Sequence, residues 1–161
     1  MDSNLSNYLK EHKIEYKEHK HKAVFTVAES ESIKKDIPGL HTKNLFLKDD
    51  SGFFYLVCMN AHKRLDIKAL RKTLKVDKLH FASPEELKEH LHLTPGSVSI
   101  FVMIYSSSVL LLIDKEVWQA DIIGSHPNIN TATLEITHKD LEKFVKSLKA
   151  KYQIIGLDNS K

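Results

Sequence analysis

At 161 residues, 42% hydrophobic and 28% charged, the chain has the size and composition of one soluble globular domain with a real core. Its net charge of +3, with ten histidines counted as neutral, is mildly basic and lacks the dense patch of a dedicated nucleic-acid binder. No apolar run approaches the roughly 20 residues of a membrane span, residues 1–4 lack the features of a secretory signal, and a single cysteine, Cys58, excludes an intramolecular disulfide framework, so the expected location is the reducing cytoplasm.

Ser3 is placed to cap a first helix with Leu5, Tyr8 and Leu9 on one face. Residues 14–16 alternate like a short strand. The basic, histidine-rich run at 17–22 reads as a solvated turn, with a weak phosphate contact as the sharper alternative. Thr26 and Glu29 have capping-box spacing and predict a helix over 27–35, ended by Pro38-Gly39. Residues 45–47 and 53–59 read as two strands joined by the turn Asp49-Asp50-Ser51-Gly52. Lys43 and Asn44 then stand at the open end of that hairpin.

Asp66 starts a helix with Ile67, Leu70 and Leu74 on one face, and residues 79–81 form a short strand. Ser83-Pro84-Glu85-Glu86 is a strong helix start, with an N-cap serine, proline at the first helical position and acids in the first turn. The helix is expected to run to about His90. Strands are predicted over 98–105, 109–114, 117–123 and 131–136. Thr137 caps a last helix over 139–149, and residues 152–157 suggest a terminal strand. The expected fold is α+β, a single compact domain with a mixed, mostly antiparallel, barrel-like sheet surrounded by helices.

Most familiar chemistry is missing from the sequence. There is no Gly-rich phosphate loop, no His-Glu-x-x-His and no nucleophile elbow. Cys58 lies in the apolar run 53–59 and reads as a small buried hydrophobe. The pairs His19/His21 and His90/His92 lack acidic or thiolate company, so exposed histidines are a better reading than zinc ligands. Three polar patches remain: Lys43-Asn44, Gly96-Ser97-Val98-Ser99, and residues 124–130 with His126 before Pro127. A cation, an amide and small residues that bare backbone N–H groups can hold a carbonyl or an oxyanion without a metal.

Five blocks in order carry a resemblance. They are Phe25-Thr26-Val27, Thr42-Lys43-Asn44-Leu45-Phe46-Leu47, Phe81-Ala82-Ser83-Pro84-Glu85, Leu93-Thr94-Pro95-Gly96-Ser97-Val98-Ser99, and His126-Pro127-Asn128 with Asn130-Thr131-Ala132-Thr133. Together they resemble the YbaK-like family of prolyl-tRNA editing domains, in its freestanding aminoacyl-tRNA deacylase form, across residues 1–161. The resemblance implies hydrolysis of the ester joining a wrong amino acid, alanine first, to tRNA(Pro). It implies no cofactor and no metal. The implied partner is the acceptor end of an aminoacylated tRNA, with prolyl-tRNA synthetase or an elongation factor as protein partners, and neither membrane nor DNA.

By the same resemblance Lys43 matches the family lysine near the terminal adenosine. Asn44 helps to hold the aminoacyl group, His126 sits near the end of the pocket, and Gly96 opens the substrate-positioning Gly-x-x-x-Pro loop. Substrate contacts are expected from Thr42, Ser97, Val98, Ser99, Ile100 and Gly124. No side chain is an obvious general base, and the family reading supplies substrate assistance by a ribose hydroxyl. Lys48, Lys63, Arg64, Lys68, Arg71 and Lys72 are plausible phosphate contacts. The sequence departs from the loop pattern at Ile100, where the family has proline; proline fixes φ and removes a donor. A shift in substrate preference is the first expected consequence. Two other readings stay open: a non-catalytic relative that binds tRNA or a synthetase, and, more weakly, a histidine-based metallohydrolase.

Overall fold

The computed structural model describes residues 1–23, 35–94 and 97–157. The helix expected over 27–35 and the residues Phe25, Thr26, Pro95 and Gly96 thus lie outside the described residues, apart from Lys35. The elements are α1 (Ser3–Glu11), β1 (Lys17–Lys20), β2 (Leu40–Asp49), β3 (Phe54–Asn60), α2 (Ile67–Leu74), β4 (Leu79–Phe81), α3 (Pro84–Leu91), a 3₁₀ helix (Ile100–Tyr105), β5 (Leu110–Asp114), α4 (Lys115–Gln119), β6 (Ile122–Ser125), β7 (Ala132–Thr137), α5 (His138–Ser147) and β8 (Tyr152–Ile155).

The eight strands form one mixed sheet in the order β1-β7-β6-β2-β3-β5-β8, with β4 also on β2. β1/β7, β2/β3, β2/β4 and β6/β7 are antiparallel, whereas β2/β6, β3/β5 and β5/β8 are parallel. The sheet lies between two apolar layers. Leu56 and Cys58 of β3 face the larger one, with Leu5 and Leu9 of α1, Leu91 of α3 and Phe144 of α5. Tyr55, Val57 and Met59 face the smaller one, with Leu70 of α2. Burial on both faces is why β3 reads as an unbroken apolar run.

Local side-chain chemistry sets the helix starts. Asp66 accepts from Ala69 N–H at 3.0 Å to begin α2. Ser83 and Glu86 exchange bonds of 3.0 and 3.1 Å in a complete capping box, with Pro84 behind the cap. Thr137 caps α5. At α1 the cap is Asp2, not Ser3: its carboxylate accepts from Asn4 N–H.

Four expectations are corrected. Residues 98–105 are not a strand: Ser99 Oγ accepts from Phe101 N–H at 3.1 Å and starts a 3₁₀ turn, and Ile100 to Met103 are all buried. A local side-chain bond and burial on every side override the β-branched composition. The strand expected over 117–123 splits into α4 and β6. Residues 14–16 are not the first strand; it comes later, at Lys17–Lys20, which therefore is not a turn. This edge strand keeps its Lys and His character, as edges commonly do.

Gly39 makes the entry to β2 possible. Its φ is +96°, and a Cβ there would lie 2.6 Å from the Ile122 carbonyl oxygen. Only glycine lets the chain turn so close to β6.

Candidate active site

β2 is shared by both halves of the sheet, and its two edges differ. One edge pairs with β3 over residues 42–48. On the other, β6 takes Leu40 and His41, and β4 takes Leu47, Lys48 and Asp49. Between them, residues 42–46 have no strand partner on that edge among the described residues. Nearby, Ala82 N–H donates to the Phe46 carbonyl at 2.9 Å.

His41 C=O accepts from Ala61 N–H on the β3 side. The polar groups of odd-numbered residues therefore point to β3, and the backbone of Asn44 points into the gap.

A cleft of about 370 Å³ opens at this gap. Residues 42–46 form one wall and residues 81–84 with Leu87 another, while Val98 and His126 close it. The cleft thus joins members of all three polar patches: Lys43 and Asn44 from the first, Val98 from the second and His126 from the third. Strand alternation sends Asn44 to the face of Cys58 and Lys43 to that of Met59, their cross-strand partners. The two are not neighbours on one surface, as their adjacency in sequence suggests; the open edge brings both to the cleft.

Thr42 Oγ1 donates to the Gly124 carbonyl at 2.8 Å, tying β2 to β6 where the gap begins. Asn44 Oδ1 is buried without a hydrogen-bond partner among the described residues, and such an acceptor costs about 1–3 kcal/mol until a donor meets it. His126 Nδ1 lies 3.0 Å from the Ala132 carbonyl. A carbonyl only accepts, so Nδ1 carries the proton and Nε2 is the basic nitrogen of the neutral ring. The His21 ring sits edge-on to His126 at 6.4 Å.

The other expected substrate contacts are placed differently. Ser99 is fully buried and donates to Asn128 Oδ1 at 2.9 Å. Ile100 is also fully buried, in the larger apolar layer. Neither lines the cleft, nor does Ser97. Gly124 meets the site through its carbonyl and through close packing against the His41 ring, which a Cβ there would approach to 3.2 Å. Gly96 lies outside the described residues.

Of the six cations named as phosphate contacts, Lys48 pairs with Glu86 at 2.7 Å and Lys63 with Glu116 at 2.8 Å. Lys48 holds the Glu86 carboxyl down to about 2. Arg64, Lys68 and Lys72 are exposed, the last two on α2.

Burial pushes the Cys58 thiol up to about 12, so it is no nucleophile at neutral pH. His90 packs on the Phe54 ring at 4.2 Å, while His92 ends α3 beside Tyr105. Among the described residues no three His, Cys, Asp or Glu side chains converge as metal ligands, and no helix is long and apolar enough to cross a membrane.

Residues 81–84 and Leu87 line the cleft, although the polar patches did not reveal them. Ser83-Pro84 is legible as a helix start, and only the pairing of β4 beside the gap makes that start a wall of the cleft.

Residues 21–144 match the family model described as the aminoacyl-tRNA editing domain. The chain belongs to this family. It is 37% identical over 142 residues to the prolyl-tRNA editing protein ProX of Acetoanaerobium sticklandii, covering 86% of this chain and 87% of that protein. It is 32% identical over 158 residues to the prolyl-tRNA synthetase associated domain-containing protein 1 of Danio rerio, covering 96% and 86%. A crystal structure described as a candidate trans-editing enzyme for prolyl-tRNA synthetase superposes with a TM-score of 0.75 at 18% identity, covering 96% of this chain and 94% of that one. That likeness shows the editing-domain fold: a mixed sheet surrounded by helices.

Proposed function

We propose that this editing-domain protein hydrolyses the ester of mischarged aminoacyl-tRNA(Pro) in trans, with alanine-charged tRNA(Pro) as its main substrate. The observation that carries the reading is the cleft at the open edge of β2, where Lys43, Asn44 and His126 meet. The ProX relative, similar over most of both chains, supports proline tRNA as the substrate class.

The chemistry asked of the cleft is modest. A water oxygen attacks the ester carbonyl carbon, the bond to the ribose oxygen breaks, and that oxygen leaves with a proton, giving free alanine and tRNA. Lys43 positions the substrate and offsets the negative charge that develops on the carbonyl oxygen. Asn44 Oδ1, an acceptor without a partner among the described residues, receives a donor from the aminoacyl group. His126, its Nδ1 anchored on Ala132, fixes the far end of the pocket. No residue needs to act as an autonomous general base: the free ribose hydroxyl of the terminal adenosine orients the water.

Discrimination against proline is steric. A pocket contact for one methylene is worth only about 1–3 kcal/mol, so excluding the larger ring is a stronger device than gripping a methyl group. Exposed Arg64, Lys68 and Lys72 are available to acceptor-stem phosphates. Contact with prolyl-tRNA synthetase or an elongation factor is part of the same proposal.

The rival reading, a non-catalytic relative, rests on the absence of an autonomous base and on Ile100. That side chain belongs to the core and not to the cleft, so the departure from the loop pattern does not touch the proposed catalytic wall. Deacylation of Ala-, Cys- and Pro-tRNA(Pro) by the purified protein tests the proposal. Turnover of the alanine ester well above the spontaneous rate, with Pro-tRNA(Pro) spared, is the expected result. Retained tRNA binding without turnover favours the rival.

A further inference from the structure

Phe81 is 54% exposed. It is no loop residue: β4 pairs with β2 and sets Phe81 opposite Leu47, and Ala82 N–H bonds to the Phe46 carbonyl at 2.9 Å. Strand alternation puts Phe81 on the same face as Leu79, which is buried in the smaller apolar layer. Phe81 continues that face one step beyond the layer, to the mouth of the cleft. Phe53, Tyr152 and Ile154 are the other large apolar side chains exposed among the described residues, and of the four only Phe81 lines the cleft.

Its distance from Lys43 has a chemical meaning. Cross-strand partners share a face, so Phe81 stands beside Leu47 on the face that also carries Leu45 and Lys43. Leu47 and Lys43 are four strand residues apart, or about 13 Å between Cα atoms. A lysine side chain reaching back from one end leaves room for a ribose between the ammonium and the ring. An aminoacylated 3′ end has this layout: an ester, a sugar, then a flat base. A rigid, half-exposed aromatic ring is also what single-stranded nucleic-acid sites use to hold a base.

We infer that Phe81 is a substrate-positioning residue whose ring stacks on the terminal adenine of the acceptor end while the aminoacyl group occupies the gap beside β2. The inference rests on the deacylase reading for its substrate. It adds a contact that no polar patch in the sequence carries.

The test combines kinetics and binding for wild type, Phe81→Ala and Phe81→Trp. Hydrolysis is measured on Ala-tRNA(Pro) and on 2′(3′)-O-alanyl ribose, which keeps the neighbouring hydroxyl but has no base, and binding on uncharged tRNA(Pro) with 2-aminopurine replacing the terminal adenine. Stacking predicts that Phe81→Ala loses about 5- to 100-fold in kcat/KM on the tRNA, mostly through KM. It also predicts unchanged relative activity on the alanyl ribose, weaker quenching of the 2-aminopurine, and recovery in Phe81→Trp. Equal activity of Phe81→Ala and wild type on the tRNA, or an equal loss on both esters, overturns the inference. If wild type hydrolyses neither ester but binds the tRNA with Phe81-dependent quenching, the deacylase reading fails and the stacking contact stands. If quenching is also absent, both fail.

Discussion

Ser99 Oγ donates to Asn128 Oδ1 at 2.9 Å, and both residues are buried. This bond links the loop before the 3₁₀ helix to the loop that follows His126, two segments that look independent in the sequence. Ser99 uses the same oxygen to accept from Phe101 N–H. Asn128 holds a φ of +64°, a conformation that asparagine tolerates better than most residues.

Ser99→Ala removes both bonds and strands the Asn128 amide. The expected cost is about 1–3 kcal/mol of stability, read from urea unfolding. Because the bond fixes the loop beside His126, activity on Ala-tRNA(Pro) should fall as well. Asn128→Gly separates the two effects: it loses the bond but keeps the backbone, and should be milder than Asn128→Ala.

Ile100→Pro restores the loop pattern from which this sequence departs. Ile100 is the first residue of the 3₁₀ helix, where an N–H has no intrahelical partner, and Ser99 before it is extended, at φ −143° and ψ 172°. Both features suit proline. The cost is the lost part of a fully buried side chain, about 1–2 kcal/mol. Deacylation by Ile100→Pro should stay within a few-fold of wild type, measured as kcat/KM. A large gain in activity would restore Ile100 to the site.

Helix starts and the central hairpin were legible because their signals are local. Asp66, Ser83-Pro84 and Thr137 mark caps, and the turn after β2 is rich in Asp, Ser and Gly. The 3₁₀ helix was read as a strand because its composition is β-branched and aromatic, while the feature that decides it is one serine bond together with complete burial. In the site, Lys43, Asn44 and His126 stand out by residue type. The gap that unites them does not, because it depends on which strands pair with β2 and where they stop. Phe81 stands in one of the five blocks, but its place beside the gap is hidden for the same reason: it follows from a three-residue strand pairing that sets it against Leu47, 34 positions away.

The hairpin gives a prediction about acid. Asp49 is buried, which alone would raise its pKa. The Tyr55 hydroxyl at 2.7 Å and the N–H groups of Phe53 and Ser51 at 3.0 and 2.9 Å outweigh that and hold it below its ordinary value of 3.8. Burial, and then the Asp49 carboxylate, push Tyr55 up to about 12, so its hydroxyl keeps its proton and donates. A carboxyl that binds its proton less readily when folded stabilises the fold above pH 3.8 and loses that contribution as pH falls below it. Asp49→Asn should unfold more easily at pH 7 and show a flatter loss of stability between pH 5 and 2, as measured by urea titration across that range. Equal acid sensitivity in both proteins would remove Asp49 as a cause.

The most direct measurement is the rate at which Lys43→Ala and wild type release alanine from Ala-tRNA(Pro), with matched thermal unfolding to show that both are folded. Lys43 lines the cleft from the open stretch of β2, and its proposed role is to steady the developing oxyanion with its charge. Wild type should deacylate well above the spontaneous rate. Lys43→Ala should lose on the order of 100-fold or more, the usual cost of removing such a group, with its melting temperature little changed. A folded Lys43→Ala protein that keeps wild-type rates, or a wild type that never exceeds the spontaneous rate, would contradict the account.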